Sequence, residues 1–158
     1  MNKLMLASLF AILISGCSNV NPKEIPNEVI VIVELIKNKE KSQEELREFT
    51  KRYSDYVKST ESNTLGWTYH DAGDKIILIE RYKNEDANIV TAKNISPGGN
   101  RYKLLQESFN YHTLGKVTVI GGFTQKLIDF NKMTAEKVGF TAPFIYYPLI
   151  SGYSKNSR

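Results

Sequence analysis

The sequence predicts an α+β fold whose antiparallel sheet has the ferredoxin-like order β-α-β-β-α-β, followed by a C-terminal extension. Three observations support this prediction. Residues 64–83 contain two β-rich runs around the turn formers Asp71, Ala72, Gly73 and Asp74, which is the pattern of a hairpin. A β-branched run and then a segment with apolar residues at helical spacing precede the hairpin. Further helical and strand-like segments follow it and complete the ferredoxin-like order.

The first seventeen residues have the pattern of an export signal rather than of a folded element. Lys3 gives a basic start, and an apolar run follows at 4–14, too short for the ~20 residues of a membrane span. The sequence then reads Ile14-Ser15-Gly16-Cys17, which resembles the bacterial lipobox. The resemblance implies a lipoprotein signal peptide at 1–16 and a lipid-modified (palmitate-bearing) Cys17 at the bacterial cell envelope. Ser18 implies outer-membrane delivery if the cell has two membranes; the alternative is a plain secretory signal with an incidental cysteine.

Residues 17–27 are predicted to form a lipidated tether, because they are polar and contain Pro22 and Pro26. Such a segment reaches on the order of 15–20 Å. Cys17 is the only cysteine, so the following domain has no thiol for disulfides, nucleophilic catalysis or metal binding. The net charge is +4, with basic residues scattered among acidic ones, and we expect no nucleic-acid partner.

The elements of the domain can be predicted in order. Residues 28–36 form a strand that is apolar on both faces. Ser42 and Glu45 fit a capping box, and the helix after them is predicted to run to about Ser59. Its apolar stripe comprises Leu46, Phe49, Tyr53, Tyr56 and Val57, which is more typical of a core than of a cofactor site.

In the hairpin, a turn centred near Gly73 predicts that Tyr69 lies opposite Ile77 and Trp67 opposite Ile79. A slip of one residue would exchange the two faces. Both faces are apolar in either register, so we expect both to be covered. Helices cover one face, and the other requires more of this chain or a second copy of it.

Asn84 is predicted to cap a short helix, 85–93, and the residues 96–99 (Ser-Pro-Gly-Gly) break the chain. A helix at 101–112 and a strand at 115–121 follow. Residues 125–137 have a helical pattern, and 139–153 are rich in aromatics interrupted by Pro and Gly. This extension, 123–158, is expected to pack on the domain or on a partner subunit.

Three short stretches resemble the antibiotic biosynthesis monooxygenase-like family of dimeric α/β barrels: Leu65-Gly66-Trp67-Thr68-Tyr69, Ile79-Glu80-Arg81-Tyr82, and the helix start with Asp86 and Ala87. The resemblance covers 28–122. It implies a homodimer whose two sheets pack face to face. Some members of the family oxidise quinols, anthrones or related aromatics with O₂ and without metal or flavin, and others degrade haem.

The sequence departs from both active patterns of the family. The aromatic oxygenases have an Asn within the third strand and a Trp at its end, and here these positions are Leu78 and Tyr82. The haem degraders use an Asn in the first strand and a His late in a helix. The matching positions here are Val33 or Glu34 in the strand and Gln106 in the helix.

The candidate site residues lie on the hairpin. The catalytic candidates are His70 as a general base, Tyr82 as a proton donor to an oxyanion, and Arg81 as an anion binder. The ligand-binding candidates are Trp67, Tyr69, Leu78 and Glu80. Adjacent strand residues face opposite ways, so at most one of Glu80 and Arg81 enters a given pocket. His112 is predicted to be a helix-end residue, and with two histidines in all no metal site is expected.

At each of these positions, a purely structural role is the alternative to a functional one. An exposed strand-end His without a role, core aromatics and a surface ion pair would account for the same residues. The sequence therefore predicts a membrane-anchored lipoprotein with a monooxygenase-like domain that oxidises a small aromatic or quinol compound without a cofactor. The alternative is a non-catalytic envelope module that binds a hydrophobic ligand or a protein partner. The missing strand Asn favours the alternative.

Overall fold

The computed structural model describes residues 27–152. The predicted signal peptide, Cys17 and all of the tether before Asn27 lie outside the described residues. Within this range no helix combines the length and the apolar composition needed to cross a membrane. The elements in chain order are β1 (Val29–Lys37), α1 (Gln43–Thr60), β2 (Thr64–Ala72), β3 (Lys75–Tyr82), α2 (Glu85–Asn94), α3 (Tyr102–Ser108), β4 (His112–Gly121), α4 (Gln125–Val138) and β5 (Phe144–Pro148).

The predicted α+β, ferredoxin-like fold is confirmed. The sheet has the strand order β2-β3-β1-β4-β5, and its first four strands are antiparallel neighbours. This places the first strand in the centre, as the ferredoxin-like order requires. β5 was not predicted as a strand. It adds to the edge of the sheet in parallel with β4, so residues 144–148 of the C-terminal extension pair with the domain of the same chain.

Helix α1 shows how the local sequence determines the element boundaries. The Ser42 side chain accepts a hydrogen bond from the Glu45 backbone N–H, and the Glu45 carboxylate accepts one from the Ser42 backbone N–H, so the predicted capping box is present. Four residues of the predicted stripe are buried: Leu46, Phe49, Tyr53 and Val57. The fifth, Tyr56, instead donates a hydrogen bond of 3.0 Å to the Asn100 carbonyl. Asn84 caps α2 as predicted, by accepting from the Ala87 N–H.

The predicted hairpin register was wrong by one residue. Trp67 lies opposite Glu80 and Tyr69 opposite Leu78, because the turn holds only Gly73 and Asp74 between the paired Ala72 and Lys75. Gly73 has φ of +78°, which a two-residue hairpin turn with glycine at its first position requires. The slip exchanges the faces of β3 relative to β2. Trp67 and Tyr69 therefore share a face with Leu78, Glu80 and Tyr82.

All four helices pack on that face of the sheet, and the core lies between them. Val29, Val31, Val33, Leu35, Val117 and Val119 are buried there. The alternate residues form the opposite surface, which we call the open face, and none of the described helices covers it. The open face is strongly apolar, and its apolar side chains are only partly buried or exposed. These residues are Ile30, Ile32, Ile36, Ile77, Ile79, Ile120, Ile145 and Tyr147.

A second correction concerns the segment before β4. The predicted helix 101–112 ends at Ser108, and His112 is the first residue of β4, paired with Lys37 of β1. His112 is buried and is not a helix-end residue. The hydrogen bond from the Asn38 N–H to the Tyr111 carbonyl, 2.9 Å long, continues the pairing of β1 and β4. This segment forms a strand rather than a helix because its backbone N–H and C=O groups bond to β1. The local helical pattern cannot reveal such a distant partner.

Candidate functional site

A cavity of about 130 Å³ lies between the sheet and the helices. Its floor is apolar and comes from the central strands: Val31, Val33, Leu78, Val117 and Val119. Its roof comes from α2, α3, α4 and the segment after α4, which contributes Phe140 and Phe144. For comparison, an engineered apolar cavity of about 150 Å³ binds benzene. A cavity of this size accommodates a small aromatic compound.

The acidic group of the cavity is Glu80 on β3. Burial raises its pKa to about 7, although the hydrogen bond from Tyr82 and the charge of Arg101 act in the opposite direction. Tyr82 donates this hydrogen bond, 2.5 Å long, to Glu80 Oε2. Burial, together with the charge of Glu80, raises the pKa of Tyr82 well above its usual value. At neutral pH Glu80 is therefore divided between its acid and its base form, whereas Tyr82 remains a hydrogen-bond donor.

The basic group of the cavity is Arg101, which is 1 % exposed. Its guanidinium carbon lies 4.9 Å from the Trp67 ring centroid and 5.4 Å from that of Tyr53, and those two rings stack on each other. Its Nη1 atom lies 3.0 Å from Glu61 Oε1. Glu61 ends α1 and also accepts hydrogen bonds from Thr91 and Asn94. The buried guanidinium is thus held by one carboxylate and two aromatic faces.

Four buried side-chain atoms have no hydrogen-bond partner within residues 27–152: Nε and Nη1 of Arg101, Nε1 of Trp67 and Nδ1 of His112. The contact between Arg101 Nη1 and Glu61 lacks hydrogen-bond geometry, which is why Nη1 is among them. All three residues line the cavity. Burial lowers the pKa of His112 to about 4, so this imidazole is neutral at physiological pH. The cavity therefore presents unsatisfied N–H donors beside an ionisable carboxyl group.

The structure brings five of the sequence-predicted site residues together. Trp67, Tyr69, Leu78, Glu80 and Tyr82 all line the cavity, because the true register places them on one face. Burial raises the pKa of the Tyr69 hydroxyl, although the neighbouring Trp67 side chain and the charge of Arg101 act in the opposite direction. These residues could line a binding site for a planar ligand without rearrangement of the sheet.

The other two hairpin candidates lie away from the cavity. His70 is exposed on the open face, where its Nε2 atom lies 3.0 Å from Thr68 Oγ1. Arg81 lies on the same face and donates two hydrogen bonds, of 2.6 and 3.2 Å, to the Glu28 carboxylate. Of Glu80 and Arg81, only Glu80 enters the cavity. Neither His70 nor Arg81 can contact a ligand held there by this chain.

Sequence reasoning did not identify Arg101 or Glu61 as site residues. The only local signal is the loop 96–99, where the backbone makes a close approach to the end of α2. A Cβ on Gly99 would overlap the carbonyl oxygens of Lys93 and Asn94. The Arg101 N–H then donates a 2.9 Å hydrogen bond to the Asn94 carbonyl. The glycine allows this loop to fold back and turn Arg101 inward.

No family model and no curated protein matches the chain, but solved structures do. MupZ from Pseudomonas fluorescens has 15 % sequence identity over 82 % of this chain and 96 % of its own, with a TM-score of 0.61. Rv0793 from Mycobacterium tuberculosis has 17 % identity over 58 % of this chain and 91 % of its own, with a TM-score of 0.43. A proposed antibiotic biosynthesis monooxygenase from Deinococcus radiodurans has 18 % identity over 58 % of this chain and 88 % of its own, with a TM-score of 0.44.

The similarity to MupZ extends over most of the described chain and establishes a common fold. The likeness to this solved structure thus supports the fold predicted from the sequence. At this sequence identity the likeness carries no substrate or reaction, so function has to be argued from the cavity itself.

Proposed function

We propose that this domain is a monooxygenase that oxidises a small phenol, quinol or enolisable aromatic compound with O₂, using Glu80 as the general base. The single observation that carries the proposal is a carboxyl group with a pKa of about 7 that lines a cavity with an apolar floor. Carboxyl groups tuned to neutral pH by burial are typical of acid–base catalysis.

The proposed reaction begins when Glu80 takes the proton of a ligand hydroxyl or enol. The resulting anion passes one electron to O₂, which gives a substrate radical and superoxide. The two combine to form a C–O bond, and protonation by Glu80 yields a hydroperoxide. Its O–O bond then breaks, water leaves and a carbonyl forms. One oxygen atom enters the product and the other leaves as water with two hydrogens of the substrate, so the substrate is the only reductant.

The geometry supports Glu80 over His70 as the base. Glu80 lines the cavity, whereas His70 is exposed on the open face. A general base must come within hydrogen-bond reach of the proton that it removes. The polar side of the cavity also contains Tyr82, which is hydrogen-bonded to Glu80, and the neutral His112. Aromatic faces for the ligand are provided by Trp67 and Tyr69.

The test is oxygen uptake by the purified protein with anthrone, 1-naphthol and hydroquinone, with three variants alongside. Glu80→Gln preserves the shape of the side chain and its acceptor for Tyr82 but removes the base, so we expect kcat to fall by about 100-fold or more. Glu48→Gln, on the exposed surface of α1, is the matched control. Mass spectrometry with labelled O₂ should find one labelled atom in the product.

His70→Ala decides between the two candidate bases. If uptake is lost in His70→Ala and retained in Glu80→Gln, the base is His70 and our assignment is wrong. If no compound is consumed above its spontaneous rate, the oxygenase proposal fails for these substrates.

A second candidate is a non-catalytic module that binds a hydrophobic ligand or a protein partner. It is favoured by Leu78, a buried leucine on the cavity wall at the position where the aromatic oxygenases that the sequence resembles have an asparagine. Saturable binding of a small aromatic without oxygen consumption would support this candidate.

We also propose that the protein is a homodimer through its open face and that a lipid on Cys17 holds it at the cell envelope. The open face carries isoleucines on β1, β3 and β4, and contiguous apolar surfaces of this kind are typical of protein interfaces. Its central carboxylate, Glu34, is bound by Lys75 at 2.9 Å and Lys116 at 2.6 Å, so no unpaired carboxylate remains there to be buried. Mass spectrometry of the protein from bacterial membranes would test the lipid.

A further inference from the structure

We propose that Arg101 and the indole N–H of Trp67 form an oxyanion site, which binds the ionised hydroxyl of a phenol or enol ligand. The inference rests on the proposed function in placing the ligand in the cavity. It adds the chemical class of the ligand: an acidic aromatic hydroxyl compound that is held as its anion, rather than a neutral aromatic compound.

Two buried donors beside the cavity lack an acceptor. Arg101 is 1 % exposed, and its Nε atom and Trp67 Nε1 have no hydrogen-bond partner within residues 27–152, while its Nη1 atom has only the ion-pair contact with Glu61. Buried N–H groups rarely lack a hydrogen-bond acceptor, and the free-energy cost of an unsatisfied N–H group is highest when the group belongs to a cation. Arginine and tryptophan side chains offer donors only. The missing partner is therefore an acceptor, and a negatively charged oxygen satisfies it best.

The two side chains border the same space. Arg101 and Trp67 both line the cavity, with the guanidinium carbon 4.9 Å from the Trp67 ring centroid. The guanidinium and the indole are thus packed against each other at the cavity wall. Glu80 lines the same cavity, so the group that removes a proton and the groups that would hold the resulting anion surround one space. Donors preorganised around developing charge are the usual form of electrostatic stabilisation.

Binding of an anion in the cavity need not bury an additional charge. Arg101 is paired with Glu61, so these two groups contribute no net charge to the buried region. If the ligand hydroxyl passes its proton to the ionised Glu80, the single negative charge moves from Glu80 to the ligand oxygen. The cavity then holds the same net charge before and after the transfer, and no additional charge has to be buried.

The alternative is that Arg101 serves structure alone, as the partner of Glu61 and the cation beside Tyr53 and Trp67. If Arg101 serves structure alone, a phenol bound below its solution pKa stays neutral, and replacing Arg101 does not change its ionisation. An oxyanion site would prefer the phenol and would lower its pKa. The ionisation state of a bound phenol therefore separates the two roles without any turnover.

The experiment uses 4-nitrophenol, which absorbs visible light only as its anion, and 4-nitroanisole as the neutral isostere. Each is titrated with the purified protein at a pH below the solution pKa of nitrophenol, where the free dye is almost colourless. We expect visible absorbance to appear on binding, and nitrophenol to bind about tenfold or more tighter than nitroanisole, as a hydrogen bond to a charged group implies.

Arg101→Gln should abolish the visible absorbance and bring the two affinities together. Because this variant leaves Glu61 buried without its partner, the double variant Arg101→Gln with Glu61→Gln provides the same test without an uncompensated charge. Glu61→Gln alone should act in the opposite direction and deepen the absorbance, since Arg101 is no longer partly neutralised. Glu48→Gln should behave as the wild type.

The oxyanion site would be overturned if nitrophenol bound in its colourless form with the affinity of nitroanisole. It would also be overturned if the double variant gave the same spectrum as the wild type. This outcome is distinct from failure of the proposed function. If the protein binds the nitrophenolate through Arg101 but consumes no oxygen, the oxyanion site is supported and the oxygenase proposal is refuted. If the protein oxidises aromatics but binds nitrophenol in its neutral form, the oxygenase proposal is supported and the oxyanion site is refuted.

Discussion

Tyr82 donates a hydrogen bond of 2.5 Å to Glu80, its neighbour two positions back on β3. Alternate residues of a strand face the same way, so this pair is built into one strand and requires no other element to bring it together. Leu78 continues the same face towards the turn. Because the pair lies under the helices, the carboxyl group is tuned by burial and by its own strand neighbour.

The first prediction concerns the pH dependence of stability. Glu80 has a folded-state pKa of about 7, raised from 4.5, so the folded chain binds more protons than the unfolded chain between these values. Stability should fall as the pH rises through this window, by roughly 3 kcal/mol if Glu80 acts alone. Glu80→Gln removes this loss. Urea denaturation should find the variant more stable than the wild type at pH 8 and about equal to it below pH 4.

The second prediction concerns His112. Its pKa is about 4 in the folded state instead of 6.5, so its stability contribution is lost as the pH falls through this range. In the wild type this loss offsets the gain from Glu80 over most of the same range. The comparison should therefore be made on the Glu80→Gln background, where adding His112→Phe should abolish an acid destabilisation of roughly 3 kcal/mol. Equal acid sensitivity with and without His112→Phe would refute this assignment.

The third prediction concerns the buried ion pair. Arg101→Met leaves Glu61 as an uncompensated buried anion and should cost about 3–5 kcal/mol in unfolding free energy. Adding Glu61→Leu should recover most of that loss, and the double-mutant cycle measures the coupling. The exposed pair of Arg47 and Glu44, 3.2 Å apart, provides the control, and Arg47→Met should cost less than about 1 kcal/mol. A double variant whose loss equals the sum of the losses of Arg101→Met and Glu61→Leu would show that the pair is not coupled.

The fourth prediction concerns the open face. Ile32 lies on β1 between Ile79 of β3 and Thr118 of β4, near the middle of that surface. A lysine there would be buried in a face-to-face dimer but solvated in a monomer. Sedimentation velocity should therefore find a dimer for the wild type and a monomer for Ile32→Lys, with an unchanged circular dichroism spectrum. Val90→Lys, on an exposed position of α2, should leave the dimer intact. A monomeric wild type would rule out the proposed interface.

The sequence was sufficient for the elements whose signals are local. The capping box at Ser42 and Glu45 predicted the start of α1, and Asn84 predicted the start of α2. The register was missed because a two-residue turn at Gly73 and Asp74 cannot be told from a longer one by composition alone. β5 was missed because its short run lies between Pro143 and Pro148 and finds its partner only on β4.

The residues of the candidate site show the same division between local and distant signals. Trp67, Tyr69, Glu80 and Tyr82 could be chosen as candidates because the hairpin pattern places aromatic and charged residues at strand positions. Arg101 could not be recognised, because its burial depends on Glu61 and Trp67, which are distant in sequence. A lone arginine after a glycine loop is usually solvated, and only the three-dimensional structure reveals this one to be enclosed.

The C-terminal extension has a consequence for biosynthesis. Every strand of the antiparallel part of the sheet lies before Gly122, whereas Asn131, Thr134 and Phe140 of the cavity roof come later. Synthesis proceeds from the N-terminus, so a nascent chain can complete this sheet before α4 adds the last part of the roof. Leu127 shares a core cluster with Val117 and Val119, and these valines lack part of their cover until it arrives. During that interval the domain exposes apolar strand surface, and it is then most prone to aggregation and most dependent on chaperones.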